Sequence, residues 1–323
     1  MRELDERERL LVQVATLYYE QGMTQEEVAR RVGLSRSNVS RLLTEARRQG
    51  IVEIRIRAPL RTVPSLEEEL KARFHLAEAH VMSSTGARSP DTVLQGLGAL
   101  AAEQVKRRLH HDMTLGIGWG RALYETVNAF RRGPEYRVQV VQMMGGVGSV
   151  NPQIDGTELA RRLAEALGGS FRYLHAPFLV ESAATCQALR QERNVREVLD
   201  LARRADLALA GIGAIQPELS GLVRAGYLTR DELLAAAQAG AVGDLYGHYL
   251  DIEGRVCQLE LHERIIGIDL PSLRKIKCVL AVAGWKEKGP AILAALRSGF
   301  LHILVTDDAA AQEVLRLADA RAG

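Results

Sequence analysis

Residues 18–50 read YYEQGMTQEEVARRVGLSRSNVSRLLTEARRQG, and this stretch decides the architecture of the N-terminal part. Thr24 is followed three residues later by Glu27. That spacing is a capping box, which satisfies two backbone N–H groups at a helix start reciprocally. Val28, Ala29 and Val32 then share one helical face. Gly33 stops the helix, because a residue without Cβ enters a left-handed turn at no steric cost. Ser35 starts the next helix, with Val39, Leu42, Leu43 and Ala46 inward, and Gly50 closes it. Upstream, Leu10, Leu11, Val14, Leu17 and Tyr18 mark a longer first helix ending at Gln21-Gly22. Two short helices joined at Gly33-Leu34, behind a longer one, predict a helix-turn-helix.

Its charge points to double-stranded DNA. Residues 30–57 hold eight arginines against Glu45 and Glu53, a net of +6 in a chain whose total is +2, so the remainder carries −4. Ser35, Arg36, Ser37, Asn38, Ser40 and Arg41 give the outer face of the third helix many short hydrogen-bonding groups. Arginine can bond guanine O6 and N7 together, and asparagine adenine N6 and N7. Thr24 and Gln25, at a helix start, suit phosphate, and Arg47 and Arg48 suit the backbone flanking the groove. The competing reading is a three-helix bundle with a solvated basic face. The turn glycine, capping box and polar tip together favour DNA. Residues 51–57, IVEIRIR, alternate apolar and charged and predict a strand; 58–65 carry two prolines and suit a linker, so the DNA-binding unit is expected over 1–57.

The chain has 323 residues, enough for two domains, and its hydrophobic (47%) and charged (25%) fractions are those of a globular protein. The opening MRELDERERL lacks the apolar segment of a signal peptide, and no apolar run is long enough to span a bilayer. Cys186, Cys257 and Cys278 are odd in number and scattered, which argues against a disulfide framework and for a reducing cytoplasm. No metal or cofactor motif is present, and no cofactor is expected.

From about residue 92, helix and strand patterns alternate. Strands are expected at 114–117, 138–144, 171–175, 207–212, 278–283 and 301–306. Helices are expected at 92–111, 121–131, 156–167, 183–203, 287–298 and 308–318. Such alternation implies a mostly parallel sheet covered by helices. Residues 66–323 are therefore expected to form one α/β domain for ligand binding and oligomerisation. Ligands of such sheets bind at the carboxyl ends of the strands. Those ends are glycine-rich here: Gly116-Ile-Gly118-Trp119-Gly120, Met144-Gly145-Gly146-Val147-Gly148, and Ala210-Gly211-Ile212-Gly213. A glycine loop opening a helix exposes backbone N–H groups and suits phosphate, with Arg121 adding charge. The glycines do not form the GxGxxG dinucleotide fingerprint. Asp244-Leu245 lie in a glycine-rich segment, where the carboxylate either meets sugar hydroxyls or caps a turn. Lys286 and Lys288 either reach a phosphate or form a solvated helix start. Thr306-Asp307-Asp308 reads as the N-cap of the last helix.

Together these segments resemble the SorC/DeoR-type family of sugar-binding transcriptional regulators. The likeness rests on residues 18–50 with LGIGWGRAL, VVQMMGG, ADLALAGIGA, GAVGDLYG and ILAALRSGFLHILVTDDAAA, in this order along nearly the whole chain. It implies an effector domain related in fold to sugar-phosphate isomerases and deaminases. It also implies a phosphorylated sugar or similar anionic metabolite as effector, and homodimers or homotetramers on operator DNA. Two departures stand out. Trp285 replaces the glycine that usually follows the position of Gly284, and Met144 offers no amine to capture an aldehyde. The alternative is a sugar-phosphate isomerase or deaminase fused to a helix-turn-helix. That chemistry needs a poised base with a partner. No such dyad is visible: His175 has no motif partner and reads as structural, so no catalytic residue is expected.

Overall fold

The structure is a computed structural model that describes residues 6–52, 60–86, 89–131, 134–148 and 152–320. It divides into two compact units, Met1–Pro59 and Leu60–Gly323. In the first, α1 (Glu6–Ala15) runs into a π-helical turn over Thr16–Glu20. Then follow α2 (Gln25–Val32) and α3 (Arg36–Arg48). Their apolar stripes meet in one core containing Leu11, Val14, Val28, Val39, Leu42 and Leu43. Thr24 and Glu27 form the capping box, and Gly33 takes the left-handed turn at φ 70°. Of the strand expected over 51–57, residues 53–57 lie outside the described residues; Ile51 and Val52 pack against the helical core.

The second unit opens with α4 (Pro64–Phe74), whose first residue is Pro64, a position where the missing N–H costs nothing. The remaining elements are β1 (Glu78–Met82), α5 (Pro90–Lys106), β2 (Thr114–Ile117), α6 (Arg121–Asn128), β3 (Gln139–Gln142), α7 (Gly156–Leu167), β4 (Ser170–Arg172), α8 (Ala183–Gln191), α9 (Arg193–Ala202), β5 (Leu207–Ala214), α10 (Gly221–Arg224), α11 (Arg230–Gln238), β6 (Ala241–Leu245), β7 (His248–Asp251), α12 (Leu270–Leu273), β8 (Cys278–Val282), α13 (Gly289–Arg297), β9 (Ile303–Asp307) and α14 (Asp308–Asp319). A parallel sheet runs in the order β1-β9-β8-β5-β2-β3-β4. Its inner strands are buried on both faces, as in Val279, Leu280, Ala281 and Val282 of β8, which is why they read as continuous apolar runs. Two cores flank it, one carrying Leu97, Leu115, Leu163 and Leu280, the other Leu273, Val279, Ile292 and Leu304.

Several expected boundaries shift. The helix expected to 111 stops at Lys106, and α6 stops at Asn128 rather than 131. The strand expected over 171–175 is only Ser170–Arg172. Residues 286–288 form a separate 3-10 turn before α13. The pattern also misses β1 and the hairpin β6–β7. Residues 60–65, read as linker, pair within the second unit. Thr62 bridges Met82, Val63 N–H donates to Val81 O (2.8 Å), and Ser83 N–H donates to Arg61 O (2.7 Å).

Candidate functional site

On the first unit, Ser35 caps α3 by accepting the Asn38 N–H at 3.3 Å, and its hydroxyl lies 2.9 Å from that of Ser37. Val39, Leu42 and Leu43 anchor the inner face of α3. Ser35, Arg36, Ser37, Asn38, Ser40, Arg41, Arg47 and Arg48 are exposed on the other side. The side chains of Arg36, Asn38, Arg41 and Arg48 take no hydrogen bond or ion pair within the described residues, so their donors remain open to a ligand. Arg47 differs: its Nε donates to Leu43 O at 3.4 Å. Thr24 is also engaged, since its N–H and hydroxyl both donate to the Glu27 carboxylate at 2.8 Å. Those bonds hold the Glu27 carboxyl below its usual range. The box leaves Gln25 as the open side chain at the start of α2.

In the second unit the strand order reverses between β2 and β5. From β2 the sheet grows outward through β3 and β4, and from β5 through β8 and β9. Such a switch point opens a crevice at the carboxyl ends of the strands. A cavity of about 100 Å³ lies there, open to solvent at its mouth. Gly118, Trp119, Gly120 and Arg121 line it from the loop after β2, Gly213 from β5, Asp244 from β6 and Lys288 from the turn before α13.

The other expected residues lie elsewhere. Gly145 and Gly146 donate their N–H groups to Ile266 O and Ala176 O, both at 2.9 Å, so neither is left for a phosphate. A Cβ on Gly145 would stand 2.4 Å from Pro177 O; the glycine serves a close chain crossing. Leu245 points into the core, and Lys286 is exposed outside the cavity. His175 is exposed and packs against Tyr173. Within the first loop, the Gly118 and Gly120 N–H groups are spent on Leu209 O and Ile154 O. What remains for an anion is the first turn of α6, which no side chain caps at Gly120.

The sequence reading missed Arg224 and Tyr246, which line the cavity, and Met144, noted there for lacking an amine, lines it too. Arg224 ends a four-residue helix and takes no side-chain partner within the described residues. Tyr246 and Gly247 turn the β6–β7 hairpin at φ 52° and 82°, the paired positive angles of a two-residue turn. The Tyr246 hydroxyl donates to Leu209 O at 2.9 Å.

Asp244 is placed where it caps a turn and also faces the cavity. Its Oδ2 accepts the Gly247 N–H at 2.9 Å, capping the turn, while the residue lines the cavity. It pairs with Gly213 across the strands, where a Cβ would stand 1.7 Å from its Oδ1, so only glycine fits opposite. Burial raises its carboxyl above the usual range, against the opposing pull of the Gly247 N–H and Lys288. Lys288 Nζ donates to Ile212 O at 2.6 Å. Burial lowers its pKa to about 8; Asp244 opposes that shift, and Arg224 and Arg121 add to it. Arg121, Arg224 and Lys288 thus line the cavity with three cations against the one lining carboxylate, although Arg121 is also ion-paired with Asp91, and the cavity has apolar walls as well. Trp285 lies beside them at φ 78° and ψ 140°, a region that costs a side-chain-bearing residue about 1–3 kcal/mol. Asp307 Oδ2 accepts its N–H at 2.6 Å, while Oδ1 caps α14 by accepting the Ala310 N–H at 3.0 Å.

Two family models match the chain: "Putative sugar-binding domain" over residues 59–316 and "Sigma-70, region 4" over residues 1–49. The transcriptional regulator LsrR of Klebsiella pneumoniae is 35% identical over 315 residues, 96% of this chain and 94% of that protein. The deoxyribonucleoside regulator of Bacillus subtilis is 28% identical over 312 residues, 96% of this chain and 98% of that protein. The solved full-length sorbitol operon regulator SorC of Klebsiella pneumoniae matches with a TM-score of 0.72 and 29% identity, over 97% of this chain and 100% of that one. The solved "Putative Sugar-Binding Domain of Transcriptional Repressor from Vibrio fischeri" matches 80% of this chain and 100% of that one, with a TM-score of 0.73 and 27% identity. The helical head, the parallel-sheet domain and these full-length likenesses agree: the chain belongs to the SorC/DeoR-type family of sugar-binding transcriptional regulators.

Proposed function

We propose that this regulator binds operator DNA through α3 and that a phosphorylated sugar or related anionic metabolite, held in the switch-point cavity, sets its operator affinity. The observation that carries this reading is the set of Arg121, Arg224 and Lys288 around one buried carboxylate and the uncapped start of α6. The cations suit a phosphate, and Asp244 suits sugar hydroxyls. The protein works in the cytoplasm as a homodimer or homotetramer, the state that presents two DNA-reading heads to a two-part operator. Among the described residues no helix is long and apolar enough to cross a membrane.

Ligand shifts operator affinity only if it binds one state better than the other, and the coupling is reciprocal. Operator should therefore change effector affinity by the same factor, about 5- to 150-fold for a typical coupling of about 1–3 kcal/mol. Titrating sugar phosphates with and without operator, at fixed salt, measures it. Identical affinities for a ligand that binds would show that it is not the regulatory signal. The raised Asp244 and lowered Lys288 are features that an isomerase or deaminase would share. Product analysis of the same mixtures separates the two readings, since a regulator returns its effector unchanged.

The Lys288 ammonium gives binding a pH dependence. The free protein loses this proton as pH rises through about 8. An anionic ligand favours the charged form, so its binding above that pH must take a proton back. Affinity is expected to fall by up to about tenfold per pH unit above this point, until the bound-state pKa is passed. The slope should vanish in Lys288→Arg, which stays protonated. A flat wild-type profile between about pH 7 and about pH 10 would remove Lys288 from the ligand contacts.

A further inference from the structure

Both tryptophans of the chain, Trp119 and Trp285, line the cavity. Trp285 adopts a φ of 78° that glycine takes freely and other residues rarely adopt. The Asp307 carboxylate holds its backbone N–H at 2.6 Å. Its ring meets both neighbouring cations: the Arg121 guanidinium carbon lies 5.6 Å from the ring centroid and Lys288 Nζ lies 5.9 Å from it. Its indole Nε1 is buried without a hydrogen-bond partner. The backbone here suits the smallest residue, yet the site carries the largest side chain. That side chain fills space beside the two cations that suit a phosphate, and its contacts with them restrict where they can reach.

We propose that Trp285 is a specificity-determining residue: its indole closes one end of the cavity beside Arg121 and Lys288, so the effector is a short phosphorylated sugar and longer ones are excluded. The inference rests on the reading that the cavity takes phosphorylated sugars. Glycine at this position would satisfy the backbone and lengthen the cavity. Phenylalanine would keep a wall and the cation contacts.

The test titrates triose, pentose, hexose and heptose phosphates against the full-length wild type, Trp285→Gly and Trp285→Phe. Binding is read by calorimetry and by the fluorescence of Trp119, which all three proteins keep. Wild type is expected to prefer a short member and to lose affinity as the sugar lengthens. In Trp285→Gly the long members should gain roughly tenfold or more relative to the short ones, a change on the scale of pocket discrimination. Trp285→Phe should keep the wild-type order, and melting curves confirm that each variant is folded. The same order and spacing of affinities in Trp285→Gly as in wild type would overturn the proposal. Should Trp285→Gly not fold, a Trp285→Phe variant that reverses the order would overturn it too. Absence of binding by every sugar phosphate to wild type would overturn the parent reading instead, and this inference with it.

Discussion

Replacing Arg36 and Asn38 together by alanine is expected to abolish operator recognition while leaving the protein folded. Both residues are exposed on α3, and neither side chain holds a partner within the described residues. Alanine favours the helix, and Val39, Leu42 and Leu43 keep it docked. A bidentate contact to a base contributes about 1–3 kcal/mol of discrimination. Two such contacts at separate bases sum to about 2–6 kcal/mol, roughly 30-fold to 10⁴-fold in affinity. Arg48→Ala gives the contrast. A phosphate contact carries no sequence information, so its loss should weaken all DNA alike and lower the salt slope by about one. Gel-shift titrations on operator and scrambled DNA at several salt concentrations read both effects. Equal operator affinity for the double variant and wild type would remove α3 from its reading role.

The second large effect is expected at Lys288. Lys288→Met keeps the length and apolar stem of the side chain and removes its charge. Loss of a charge-assisted hydrogen bond to the effector should cost about 1.5–3 kcal/mol, roughly 10- to 150-fold in affinity. Removing the buried cation relieves its own desolvation cost, which offsets the bond lost at Ile212 O, and Asp244, whose carboxyl is already raised by burial, is expected to take up a proton rather than stay charged without Lys288, so the fold should hold. Operator binding without effector is expected to match wild type. Calorimetric titration against wild type checks the affinity, and a melting curve checks the fold. Unchanged effector affinity would place the anion elsewhere in the cavity.

How much of this was legible depended on whether the deciding contacts were local. The capping box and Gly33 act within a few residues, so the helix-turn-helix could be read directly. The parallel sheet announced itself through alternating apolar runs, and the glycines after β2 and in β5 marked the crevice. Gly145 and Gly146 looked alike in sequence, but their N–H groups are claimed by Ile266 and Ala176, which only the folded chain brings near. The β6–β7 hairpin escaped because Tyr246-Gly247 lacks the usual Asn-Gly or Asp-Gly signature, although it adopts the same paired angles. Lys286 and Lys288 are two residues apart, and only the course of the 3-10 turn sends one into the cavity and the other to solvent. Arg224 sits in a helix too short to show a period.

The short bridge made by residues 61–63 along β1 has a colloidal consequence. β1 is an outer strand of the sheet, and an uncovered outer strand presents N–H and C=O groups to any other strand in solution. Val63 occupies one of those groups through its bond to Val81 O, and Arg61 O takes the N–H of Ser83 just beyond the strand. A fragment trimmed at residue 66 would keep every cavity residue yet lose this cover. A fragment beginning at Leu60 would retain it. The few residues ahead of α4 therefore matter to solubility, because they keep the sheet from adding a neighbour.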